Sequence, residues 1–366
     1  MTEPFPLIDI AGAPRERGRQ YGRQAGDRIG VSLSLYQGAF ARHGLAWPAV
    51  REVAARYLRK LEGFDAELSE EIRGIAEGVE RPVEDIVALN ARTEMLYDPH
   101  IERQRIPELE DGCTGAVVLP TASADGHMLH GQNWDWYDAC KDSAVVVRID
   151  LGGDLRLLTF VEAGIVARAG LNSHGIALTG NFLDTDAAAV ENAVPIPLVR
   201  RRVLQSATLA NAIQEIYRAP RSFSNNMMLS HADGEAVDLE TTPGEVFWEK
   251  PEGGILVHAN HFRSAGALAK VRDIGLLHTP DSLYRDSRVT AILTARRGEI
   301  RIDDLKEAFA DRFGAPRAVC RSPVTGERGG TTSSVATIIM DVTERRMIVA
   351  PTPYNGTTFT EYRLDA

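Results

Sequence analysis

Asp111 to Trp136 reads DGCTGAVVLPTASADGHMLHGQNWDW. Two runs suited to extended chain, CTGAVVLPT and HMLHGQNWDW, flank the turn cluster Ser123–Gly126 and predict strand, turn, strand. Cys113 heads the first strand. Before it, from Asp98 to Gly112, the chain is polar and irregular, with Pro99 and Pro107 among many charges.

Towards the C-terminus the strand pattern recurs. SAVVVRID and LRLLTFVEAG flank Gly152–Gly153 as a second hairpin, and GIALTGNF adds a strand. Helical patterns follow at Pro197–Gln205 and Leu209–Arg218. Strands return in NMMLSHADGEAVDLETTPGEVFW, joined by an Asp-Gly turn. ILVHAN, helices at Leu283–Arg296 and Leu305–Phe313, and the pair VATIIMD and RMIVAP complete the chain. Hairpins in blocks, separated by paired helices, predict two antiparallel sheets packed face to face with helices outside.

Towards the N-terminus, from about residue 15 to 97, the apolar spacing is helical. Tyr21, Ala25, Ile29, Leu33, Tyr36 and Phe40 step along one face. Val50, Val53, Ala54, Tyr57, Leu58 and Leu61 make a second stripe, and Leu68, Ile72, Ile75 and Val79 a third. The seam between helical front and strand-rich back falls at Cys113.

Composition excludes several classes. Of 366 residues 44% are hydrophobic and 25% charged, which suits a globular core and not disorder. The net charge of −10 and the lack of a basic patch argue against nucleic acid. The acidity is compatible with cationic substrates but is common among soluble enzymes. Arginine clusters are short, and that at Arg200 to Arg202 sits in a helical pattern, where a solvated face is expected. No secretory signal and no apolar run of membrane-spanning length is seen. Three cysteines without CxxC spacing make neither a disulfide framework nor a zinc knuckle. A cytoplasmic location is expected, with no membrane partner; self-association into a homo-oligomer stays open.

DGCTGAVV, GQNWDWY, VEAGIVARAGLNSHGIALT, VHANHF and VCRSPVTGERGGTTSSVATIIMD, preceded by ALNARTE at Ala88–Glu94, stand in an informative order. With these motifs the sequence resembles the family of the fungal acyl-coenzyme A:6-aminopenicillanic acid acyltransferase, a branch of the N-terminal-nucleophile hydrolases. The resemblance runs from roughly residue 15 to 365. It implies an α+β, four-layer αββα sandwich and a precursor that cleaves itself between Gly112 and Cys113. Residues 1–112 would be a helical α segment that stays associated. Residues 113–366 would be the β segment with the nucleophile and the core.

In that scheme the Cys113 thiol attacks the Gly112 carbonyl, an N-to-S shift makes a thioester, and water hydrolyses it. The freed α-amine, with an ordinary pKa of roughly 7.7–8.0, becomes the base that a cysteine nucleophile needs. The resemblance gives Asp135 the role of orienting the amine or thiol. Asn260 would donate to the developing oxyanion. Arg328 would hold Asp135 or a substrate carboxylate as a fork, although the tract Gly330-Thr331-Thr332-Ser333 is longer than the family's. The substrate class implied is a small N-acyl amide or an acyl-thioester, with no cofactor and no metal.

Two other classes of reading stand beside this one. A serine hydrolase needs a G-x-S-x-G elbow, which Gly170–Gly175 does not supply. A metal hydrolase could use His127 with His130, or His258 with His261, but residues three apart in a strand are expected to point oppositely. GERGGTTSS lacks the Gly-Lys-Ser/Thr of a phosphate loop. A non-catalytic binding protein on the same fold is the remaining alternative.

Overall fold

The computed structural model describes residues 3–96, 112–187, 193–326, 329–356 and 358–365. The N-terminal part contains β1 (Leu7–Ala11), α1 (Pro14–Gln24), α2 (Gly26–Arg42), α3 (Trp47–Phe64), α4 (Ala66–Gly78), α5 (Val83–Asn90) and α6 (Arg92–Leu96). Then come β2 (Thr114–Val118), β3 (Leu129–Tyr137), β4 (Ala144–Asp150), β5 (Arg156–Glu162), β6 (Ala169–Asn172) and β7 (Ile176–Thr179). Helices α7 (Ile196–Leu204) and α8 (Leu209–Arg218) lead to β8 (Asn225–His231), β9 (Glu235–Thr241), β10 (Val246–Glu249) and β11 (Ile255–His258). The chain ends with α9 (Ala265–Leu268), α10 (Ser282–Thr294), α11 (Ile302–Phe309), β12 (Val324–Thr325), β13 (Thr331–Asp341), β14 (Arg346–Pro351) and β15 (Thr360–Arg363).

The strands form two sheets. One has the order β1-β4-β5-β6-β7-β8-β9-β10; the other runs β11-β2-β3-β13-β14-β15, with β12 paired to β13. Pairing is antiparallel except where β1 lies parallel to β4. That strand lies in the segment 1–112 expected to be helical, ahead of the stretch from about residue 15 whose spacing is helical.

Side-chain alternation along β2 shows how the layers stack. Cys113 and Val117 point into the core shared by both sheets, together with Trp134 and Trp136 of β3. Ala116 and Val118 face the other way, onto Val289 and Leu293 of α10 and Leu305 and Phe309 of α11. Both faces are therefore covered, and every residue of β2 and β3 is buried. The front helices with α7 and α8 pack on the eight-stranded sheet, giving helix, sheet, sheet, helix, while α9 joins a small separate cluster with Phe247 and Phe262.

Within the front segment α1 and α4 pack closely because Gly18 and Gly22 face Gly74 and Gly78. A Cβ on Gly18 would lie 2.0 Å from the Glu71 carbonyl oxygen, and one on Gly74 would lie 2.1 Å from that of Arg15. The expected solvated face at Arg200–Arg202 is corrected by the structure. Arg201 is fully buried, with Nη2 3.0 Å from Glu71 Oε2, and Glu71 also pairs with Arg17. Arg202 alone reaches the surface, where Glu215 and Asp65 hold it. A buried carboxylate between two arginines ties α7 to the front helices; sequence periodicity does not distinguish this from a wet helix face.

Candidate active site

Cys113 sits at the seam, one residue before β2. It is 1% exposed. The Asp135 backbone N–H donates to its Sγ at 3.3 Å, and its thiol reaches the Asp135 carbonyl oxygen at 3.7 Å. Thr114 pairs with Asn133 in the β2–β3 ladder, so the register extended by one residue sets Cys113 opposite Trp134. Extending the β11–β2 register, in which His258 faces Gly115, sets Asn260 level with Cys113. Sheet pairing thus gathers Cys113, Asp135 and Asn260.

The carboxylate of Asp135 lies on the helix-covered side of its sheet. Its Oδ1 accepts from Ser334 Oγ at 2.7 Å, and its Oδ2 lies 3.8 Å from Arg321 Nε. The β3–β13 register shifts between Ser334 and Ala336, a bulge that sets Ser334 opposite Asp135. The same Ser334 hydroxyl accepts from the Arg321 backbone N–H at 2.8 Å.

Arg285 on α10 is fully buried. Its Nη1 donates to the Gly112 carbonyl at 2.6 Å, the Cys113 carbonyl at 2.6 Å and Thr114 Oγ1 at 2.9 Å. Its Nη2 donates to Asn260 Oδ1 at 2.9 Å. A guanidinium only donates, so this contact fixes the Asn260 amide with its oxygen towards Arg285. The amide nitrogen is the end turned away, and it donates to the Phe182 carbonyl at 2.9 Å.

Asp281, one turn earlier, binds Arg285 Nε at 2.8 Å and Arg321 Nη2 at 3.1 Å. Burial opposes its ionisation, but the two arginines outweigh it and hold its pKa below the ordinary carboxylate value. Gly112 packs against Arg321: a Cβ there would lie 2.5 Å from Nη1. Glycine is thus the residue that lets this guanidinium lie against the Gly112–Cys113 bond.

Sequence reasoning missed Arg285, Asp281, Arg321 and Ser334. Arg321 stands inside the quoted VCRSP motif. Asp281 and Arg285 have the i, i+4 spacing of an ordinary surface ion pair, and only burial shows otherwise. Arg328 lies outside the described residues.

The histidines expected to diverge do not all do so. β11 ends at His258, so the turn brings the His261 ring back to 6.3 Å from that of His258. His258 Nε2 bonds Glu240 at 2.9 Å and lies 3.6 Å from Asp238. Among the described residues these three are the group with metal-ligand spacing. Burial favours the neutral ring, but Asp238 and Glu240 outweigh it and push the His258 pKa up to about 9. His130 bonds Ser230 and Thr179, and His127 bonds Asp341. Cys113, Cys140 and Cys320 are all buried, and none of the three is in a disulfide.

The model of the acyl-coenzyme A:6-aminopenicillanic acid acyl-transferase family matches residues 122–350. The acyl-coenzyme A:6-aminopenicillanic-acid-acyltransferase 40 kDa form of Emericella nidulans is 30% identical over 352 residues, covering 93% of this chain and 91% of that protein. The chain belongs to this family. Among solved structures, a mutant conjugated bile acid hydrolase from Clostridium perfringens superposes with a TM-score of 0.51 at 13% identity, covering 69% of this chain and 92% of that one. A second variant of the same hydrolase gives 0.50 at 13% identity, covering 69% and 93%. For this member of the acyltransferase family, those likenesses establish the N-terminal-nucleophile hydrolase fold. No helix among the described residues is long and apolar enough to cross a membrane.

Proposed function

We propose that this family member is a self-processing cysteine amidohydrolase with acyltransferase capacity, acting on small N-acyl amides or acyl-thioesters. One observation carries the reading: the carbonyl preceding Cys113 is gripped by a buried arginine at the head of a sheet strand. In maturation, Sγ loses its proton and attacks the Gly112 carbonyl carbon. Negative charge gathers on the carbonyl oxygen, 2.6 Å from Arg285 Nη1, and a fixed cation favours that state over the planar amide. The C–N bond then breaks, the amine takes a proton, and water hydrolyses the Gly112 thioester to a carboxylate and the thiol.

Turnover repeats the same chemistry on an external acyl group, with the freed α-amine as base and the Asn260 amide as oxyanion donor. Arg285 holds the oxygen end of Asn260 and so keeps its N–H end on the other side. Asp135 positions the thiol through its backbone N–H and carbonyl oxygen, while Ser334 and Arg321 fix its carboxylate. The test is intact mass and N-terminal sequencing of purified protein, followed by turnover on a panel of N-acyl amines and acyl-thioesters. Two chains, one starting at Cys113, and acyl release are expected. A chain that stays whole and inert overturns the reading.

A further inference from the structure

A second cluster of cations lies on the inter-sheet side of the nucleophile. Arg92, Arg168 and Arg200 line one small pocket of about 40 Å³. Glu162 lines it too, but its carboxylate is committed: Oε2 lies 2.6 Å from Arg92 Nη2, and Oε1 accepts from the Tyr36 hydroxyl. Glu94, beside Arg92 and Arg200, is fully buried, and burial pushes its pKa up to about 7, so it offsets those cations only in part. Among the described residues its lining carries net positive charge, inside a protein of net charge −10.

Arg168 is the member with capacity to spare. Its guanidinium lies over the Trp134 ring, 4.2 Å from the centroid. Among the described residues its Nε is buried without a hydrogen-bond partner, and so is Trp134 Nε1. Buried donors left without acceptors are costly and call for a partner, which an anionic ligand can supply. The pocket adjoins the reacting groups through two walls. Trp136 is next in chain to Asp135, whose backbone holds the Cys113 thiol, and Phe182 supplies the carbonyl that accepts from Asn260.

We propose that Arg168, stacked on Trp134 and flanked by Arg92 and Arg200, receives the carboxylate of an anionic acyl substrate beside Cys113. The assignment rests on the acyl-transfer reading above and narrows its substrate class to amides or thioesters bearing a free carboxylate. A planar guanidinium suits a carboxylate, and low local dielectric strengthens the contact.

The test pairs each acid with its methyl ester. N-hexanoylglycine carries the carboxylate on the amine side, and the mono-butylamide of adipic acid carries it on the acyl side. For the processed wild type, kcat/KM is expected to favour the acid over its ester by about 10- to 100-fold in one pair, which identifies the side. Arg168→Gln is expected to bring that ratio towards one, and Arg168→Lys to restore part of it; a merely structural loss lowers acid and ester alike and leaves the ratio standing. Esters as good as acids in both pairs, or a ratio untouched in Arg168→Gln, overturn the proposal. Calorimetric binding of the same four compounds separates the two readings. Acid binding that depends on Arg168 without turnover sustains the pocket and removes the acyl-transfer reading; undetectable acid binding removes the pocket.

Discussion

Arg285 Nη1 lies 2.6 Å from the carbonyl oxygen of Gly112, while the Nη2 of the same guanidinium holds Asn260 Oδ1 at 2.9 Å. One buried side chain therefore links the bond proposed for self-cleavage to the residue proposed for turnover. Arg285→Met is expected to slow precursor cleavage by about 10²–10³-fold, the usual effect of removing one oxyanion donor. Arg285→Lys keeps a point charge without the fork and is expected to fall between. Because Asp281 would be left buried beside one arginine instead of two, Arg285→Met with Asp281→Asn serves as the folding control. Gel-resolved cleavage rates with circular dichroism decide; a folded Arg285→Met that matures at the wild-type rate removes the role.

Gly112→Val is expected to block maturation and Gly112→Ala to slow it by about tenfold, an order-of-magnitude figure for a catalytic group displaced by less than 1 Å. A Cβ at this position meets the Arg321 guanidinium at 2.5–2.6 Å, and Asp281 pins that guanidinium from its other side. The measurement is the cleavage half-time of each precursor. Unchanged half-times in both variants would show that the close approach of Arg321 is irrelevant to the step.

Cys113→Ala is expected to fold as one uncut chain with no turnover, since the chemistry loses its nucleophile while the core loses one small side chain. Chelators are expected to leave the wild type unaffected. Mass spectrometry and initial rates report both; activity in the alanine variant would return the serine and metal mechanisms to consideration.

Asn260 and Asp135 are expected to separate kinetically. Asn260→Ala should lower kcat by about 10²–10³-fold with little change in KM, because its contact strengthens in the transition state. Asp135→Asn should impair both cleavage and turnover, because it loosens the Ser334 and Arg321 network around the thiol-bearing turn. Near wild-type kcat in Asn260→Ala would reduce Asn260 to a fastener between Arg285 and the Phe182 carbonyl.

The His258 cluster is expected to make stability fall at alkaline pH. Its folded pKa, about 9, is raised above the ordinary 6.5, so the charged ring stabilises the fold fully below about pH 6.5 and loses that contribution as pH rises through about 9. Urea unfolding of wild type and His258→Gln at pH 6, 7.5 and 9.5 should show the wild-type advantage shrinking. A difference constant across that range would mean that folding leaves the pKa of the ring unshifted.

What the sequence by itself determined was periodicity and order. Alternation after Cys113, the 3.6-residue stripes before it and the motif order identified the sheets, the helices and the family, because local spacing records which face of each element is buried. Helix α8 was legible to the residue, Leu209–Arg218, and the Cys113 hairpin matched β2 and β3 closely. β1 was not, since five residues carry little periodic signal and its partner, β4, lies more than 130 positions away. Only the tertiary structure decided the charges. Asp281 and Arg285 have the spacing of a surface pair, Arg201 that of a wet helix face, and Arg168 stands in an apolar turn. Each owes its role to burial beside a residue distant in sequence. Burial strips water from a charge and makes its partner, or the lack of one, count for several times what it does at the surface.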